Sequence, residues 1–169
     1  MIIKSQTKSS LVLLSVTLTK KMSLFDDNKN KDKNLIVSAH EAWVGILYSC
    51  ISADNQITDS ETATLSRILN SKEQFIGTDI VLLYAKSYAL RIEMGQLKYL
   101  SACCEWIQKE DKETIFALAL EVLLADGKLE KEEKNIIEVL SNRLQIEAAM
   151  TSKIIEVIFL KNRGNIKGI

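Results

Sequence analysis

The sequence predicts an all-α protein: a compact bundle of about seven helices with an internal pseudo-twofold repeat. Three observations carry this. The 169 residues include no proline and only six glycines, too few for the turns of a sheet protein of this length but enough for helices joined by short polar connections. From Leu35 onward, apolar residues recur at spacings of three and four, one face of an α-helix. Finally, the segment that starts at Ala53 is echoed 72 positions later, at Ala125.

Residues 1–34 stand apart. Leu11 to Leu18 is an apolar-leaning run after Lys4 and Lys8, but Lys20 and Lys21 follow it where a secretory signal would have small residues. The run is too short to span a bilayer. Asp26 to Asn34 contains only Asp, Asn and Lys and reads as a solvated linker. The whole stretch is expected to be an N-terminal extension and polar linker, disordered or arising from a start codon upstream of Met22. A weak signal, a membrane-surface segment and a docked helix or strand are the alternatives.

The helical domain should occupy 35–161. Its first helix carries Leu35, Ile36, Ala39, Ala42, Trp43, Ile46, Leu47, Cys50 and Ile51 on one face and should end near Ala53. A second runs from about Asp59 to Asn70. Gly77 and Thr78 punctuate, and a third spans about Asp79 to Glu93. Gly95 breaks it, and a fourth covers about Gln96 to Gln108, with Trp106 as a core anchor like Trp43. Asp111 is a candidate N-cap for the fifth, Lys112 to Ala125, which is apolar nearly all round and should therefore occupy the centre. A sixth follows from Lys131 to Arg143 and a seventh from Glu147 to Lys161. The tail, 162–169, should fray.

Composition removes several function classes. Lys plus Arg and Asp plus Glu both total 22, so there is no basic excess of the kind a nucleic-acid binder needs. Three cysteines, two of them adjacent, make no disulfide framework and point to a reducing, cytoplasmic setting. His40 is the only histidine, so no Ser-His-Asp triad or histidine-based zinc site can be assembled, and it reads as a surface or boundary residue. Cys103 and Cys104 point about 100° apart on a helix and read as small buried hydrophobes, with Glu105 beside them and no basic neighbour in sequence to activate a thiol. No glycine-rich phosphate loop is present. Glu110, Asp111 and Glu113 read as solvated residues at a helix start. No enzyme is expected.

The repeat is the strongest feature. Ala53-Asp54-Asn55-Gln56-Ile57-Thr58-Asp59-Ser60-Glu61 matches Ala125-Asp126-Gly127-Lys128-Leu129-Glu130-Lys131-Glu132-Glu133 as Ala-Asp-[Asn/Gly]-x-[Ile/Leu]-x-x-x-Glu. Asn55 and Gly127 are the residue types that best tolerate a left-handed helix end. Ile57 and Leu129 can drop into the core and pin each turn. Thr58 and Glu61 have capping-box spacing, and Glu130, Glu132 and Glu133 favour the positive end of a helix dipole. Alternatively the carboxylates hold a cation. The pattern is not an EF-hand loop: with Asp126 and Glu133 as its fifth and twelfth residues, the first and third are Val122 and Leu124, or Cys50 and Ser52 in the first copy. A looser divalent-cation site of Asp54, Glu61, Asp126 and Glu133, drawn from both copies, stands beside the purely structural reading.

At this point the chain resembles the tellurite-resistance protein B (TerB-like) family. The resemblance rests on the paired Ala-Asp turns and on Leu144-Gln145-Ile146 before the last helix, and it covers about Leu35 to Leu160. It implies a bundle of about seven helices from bacterial stress and tellurite-resistance systems, related to the N-terminal region of a DnaJ-type co-chaperone. Acidic clusters and divalent-cation binding are what the resemblance implies for its chemistry. Asn55 and Gln145 stand where the family commonly has glycine. The expected function is a non-enzymatic stress-response module that binds divalent cations through its acidic turns, or else a protein-interaction adaptor whose acidic residues only cap helices. No stable membrane insertion is expected, and the sequence leaves the oligomeric state open.

Overall fold

The structure, a computed structural model, describes residues 35–53, 57, 59–125 and 131–162. Among them there are seven α-helices: α1 (Ala39–Ile51), α2 (Asp59–Asn70), α3 (Ile80–Met94), α4 (Gln96–Cys104), α5 (Lys112–Leu123), α6 (Lys131–Leu144) and α7 (Ala148–Asn162). Short 3₁₀ turns at Glu73–Phe75 and Lys109–Asp111 lead towards α3 and into α5. The expected all-α bundle is what forms. No strand occurs among the described residues, and none of their helices is long and apolar enough to cross a membrane. The extension 1–34, the tail beyond Asn162 and most of both repeat turns, with Asp54, Asn55, Asp126, Gly127 and Leu129, lie outside the described residues.

The core is built around two helices rather than one. As expected, α5 is central, with Ile115, Phe116, Ala119, Leu120, Val122 and Leu123 buried. Yet α1, whose sequence shows one apolar face, is buried from Ala42 to Ile51 without interruption. It packs on α3, α4, α5, α2 and α6. Small and hydroxyl residues make this tolerable: Ser49 and Ser52 turn their hydroxyls back to the Gly45 and Tyr48 carbonyls, both at 2.8 Å, so no buried donor is lost.

Gly45 sets the approach of α4 to α1. A β-carbon at this position would stand 2.5 Å from the Tyr99 hydroxyl and 2.6 Å from Cys103 Sγ. Tyr99, Leu100 and Cys103 fill that seam, all nearly inaccessible. Against the other side, α2 offers Leu65, Ile68 and Leu69, and α6 offers Ile136, Leu140 and Leu144. Each such fully buried side chain contributes about 1.5–3 kcal/mol.

Several helix ends differ from the sequence reading. The fourth helix stops at Cys104, so Trp106 lies in the following turn and is only partly buried, while Ile107 is the residue that enters the core. Asp111 makes no side-chain cap, because the 3₁₀ turn feeds directly into α5. Asp79 does cap α3, accepting from the Leu82 amide at 3.0 Å. Ser38 caps α1: its Oγ accepts from the Glu41 amide, and the Glu41 carboxylate accepts from the Val37 amide just before the cap. Gln145, in the turn between α6 and α7, holds φ at 57°, the left-handed conformation that glycine would adopt freely.

Candidate functional site

The first repeat turn springs from the C-terminal end of α1. Helix ends of this kind leave carbonyls without intrahelical partners, and here two side chains from the α3–α4 junction meet them. Arg91 Nη2 donates to the Ser52 carbonyl at 2.8 Å and to Gln96 Oε1 at 3.0 Å, and Gln96 Nε2 donates to the Ser49 carbonyl at 3.0 Å. The arginine charge sits where the α1 dipole is negative. Thus the base of the turn is fixed by residues 39 and 47 positions further along the chain.

Glu61 and Glu133 occupy the first turns of α2 and α6 and are among the few buried charged residues, 6% and 8% exposed. Helix N-termini favour a carboxylate at that place, which offsets part of the cost of burying it. The two also share a neighbourhood. The Cys50 thiol, in the last turn of α1, has its pKa raised by burial first, and then by Cys104, Glu133 and Glu61. Both carboxylates therefore act on one buried atom, although 72 positions separate them in sequence. Cys50 stays a neutral thiol.

Of the four residues expected to bind a cation, Glu61 and Glu133 are buried and both raise the Cys50 pKa, and Asp54 and Asp126 lie outside the described residues. No group of three His, Cys, Asp or Glu side chains with metal-holding geometry occurs among the described residues. Ile57, expected in the core, is 47% exposed. It does not pin the first turn inward, so the Arg91–Gln96 clamp is what secures that end of α1.

The thiols offer no nucleophile. Burial raises the Cys103 pKa to about 12, with Tyr99 pulling it down and Cys104 and Glu41 pushing it up. Cys104 reaches about 12 as well, again through burial. Contrary to the sequence reading, it does have basic neighbours, Arg143 and Lys112, brought close by the fold. Burial outweighs them. His40 is partly exposed, its ring 5.3 Å from that of Phe75, a boundary position as expected. Trp43 is a core anchor, edge-on to Phe75 at 6.4 Å.

A second polar cluster, invisible in the sequence, joins α2, α5 and α7. Glu121 Oε1 accepts from Arg67 Nη2 and, at 2.8 Å, from Lys161 Nζ. Thr64 and Asn162 line the same shallow depression. One carboxylate held by two cations on different helices is a structural tie. A groove of about 720 Å³ runs between α4 and α6 past Leu97, Ala102, Val139 and Arg143. It is open to solvent.

The family model for tellurite resistance protein TerB matches residues 40–154. The chain belongs to the TerB family. That match runs from α1 into α7 and covers more than half of the sequence, including both repeat turns. No curated protein and no solved structure matches the chain. Membership of the TerB family makes it a tellurite-resistance-like module.

Proposed function

We propose that this TerB protein is a non-catalytic, cytoplasmic stress-response module that binds a hard divalent cation, with Asp54, Glu61, Asp126 and Glu133 as its ligands. The observation that carries this reading is the burial of Glu61 and Glu133. Two carboxylates from equivalent positions of the repeat are both buried and both act on Cys50. The donors are all oxygen, which suits Ca²⁺ or Mg²⁺. Zn²⁺ would want a thiolate or imidazole, and the neighbouring Cys50 thiol is held neutral by its surroundings.

Amide NMR titration of the full chain with Ca²⁺, Mg²⁺ and Zn²⁺ tests this. Expected are saturable shifts at Cys50, Glu61 and Glu133 with Ca²⁺ or Mg²⁺, lost in Asp54→Ala and Asp126→Ala. Spectra that stay flat to millimolar metal would overturn the cation reading and leave the carboxylates as helix caps. A response to Zn²⁺ alone would overturn the assignment of hard oxygen ligands.

A further inference from the structure

One face of α3 has no partner among the described residues. The helix packs on α1 and α4 through Leu83, Tyr84, Ser87, Leu90 and Met94, all buried or partly so. On the other side, Val81 is 63% exposed, Leu82 59%, Tyr88 54% and Ile92 61%. At about 100° per residue, Val81, Ala85, Tyr88 and Ile92 fall in one narrow stripe with Leu82 and Ala89 along its border. Exposed Glu93 flanks it just beyond Leu82, but no charge lies within it. Lys86 is turned aside to Glu41 at 2.8 Å, and Arg91 to the Ser52 carbonyl. A contiguous apolar face of this kind marks an interaction surface.

We infer that this stripe pairs with the same stripe of a second copy of the chain, antiparallel, about a twofold axis between Lys86 and Ser87. The sequence of the stripe supports that occupant. Under such an axis Val81 stands over Ile92 of the other copy and Ala85 over its Tyr88, so the bulky ring meets the smallest side chain and the ends are matched in size. A twofold interface must be complementary to itself in this way. Being uncharged, the stripe encodes no complementary charge for an unlike partner, and the chain's formal net charge of zero gives two copies no reason to repel. The exposed side chains would bury roughly 500 Å² per copy, about 1,000 Å² in all, the lower limit for a specific interface. The pair is therefore a reversible dimer. This is independent of cation binding.

Sedimentation velocity of the full chain, from about 1 to 300 µM, tests the pairing at an affinity suited to so small an interface. A monomer–dimer equilibrium is expected, weakened at least tenfold by Val81→Lys and by Ile92→Glu. Both sites are exposed, so thermal melts should show the variants folded. Combining the two puts opposite charges against each other at both ends of the pair and should restore association to within about threefold of the parent, the charge attraction standing in for the lost apolar contact. A chain that stays monomeric throughout overturns the inference, whatever else covers α3. So does a dimer that neither single variant weakens, or one that the double variant fails to restore.

Discussion

The Tyr99 hydroxyl lies 2.5 Å from where a β-carbon on Gly45 would stand. Helix α1 thus meets α4 backbone against side chain, with the Tyr99 hydroxyl bonded to Ser87 and Cys103 in the same seam. Gly45→Ala should lower stability by about 1–3 kcal/mol, the usual range for overpacking a core, even though alanine is the better helix former. Tyr99→Phe removes the nearest clashing atom. In that background Gly45→Ala should cost measurably less, and a double-mutant cycle in urea reads the difference. Equal costs in both backgrounds would show that the seam relaxes in some other way.

Gln145 should be improvable. Its φ of 57° costs an ordinary residue about 1–2 kcal/mol, and its side chain is exposed. Gln145→Gly should raise stability by roughly 0.5–1 kcal/mol, the gain in the folded state less the added freedom of the unfolded chain. Chemical denaturation checks it. A loss of stability would mean that the glutamine side chain contributes more than its backbone strain costs.

The Glu121 tie makes part of the stability depend on pH. Burial pushes its carboxyl pKa up, but hydrogen bonds and charge from Arg67 and Lys161 together bring it below the usual value. A depressed carboxylate pKa gives stability that is present above the unfolded-state pKa and is lost as pH falls through the folded one. Arg67 and Lys161 are more than half exposed, so Glu121→Gln should cost only about 0.5–1 kcal/mol at pH 7 after solvent screening. That difference should vanish as pH drops through the acidic range. A cost that did not change with pH would place the effect in packing rather than charge.

The three thiols should be silent in the folded protein. With Cys103 and Cys104 raised to about 12 and Cys50 also raised, almost no thiolate exists at pH 8, and all three side chains are buried. Iodoacetamide should label none of them at pH 8 in buffer and all three in denaturant, as mass spectrometry would show. Fast labelling of a single cysteine in buffer would reveal an opening at that helix.

Helix existence was legible because it rests on local periodicity. α2 falls on the residues its pattern marks out, Asp59 to Asn70, and Gly77 and Gly95 do punctuate, both at positive φ. Local pattern could not show how far α1 is enclosed, since one apolar face reads the same whether solvent or another helix covers its back. Glu61 and Glu133 stood out by their place in the repeat. Their effect on Cys50 did not, because it acts between helices. Arg91, Gln96 and Gly45 went unnoticed for the same reason: each acts on a residue tens of positions away. Trp106 was misplaced when a short turn ended its helix early.

The clamp on α1 also has a consequence for the order in which the molecule is built. Ser49 and Ser52 leave the ribosome well before the side chains that donate to their carbonyls, Gln96 following by 47 residues and Arg91 by 39. Until then those two carbonyls lack these donors, and a short helix of thirteen residues is marginal alone. A nascent chain that stops short of α4 should therefore carry a frayed last turn of α1. Completion of that turn waits for the non-local docking of α3 and α4, which places it late in folding and makes it an early casualty of any truncation within them.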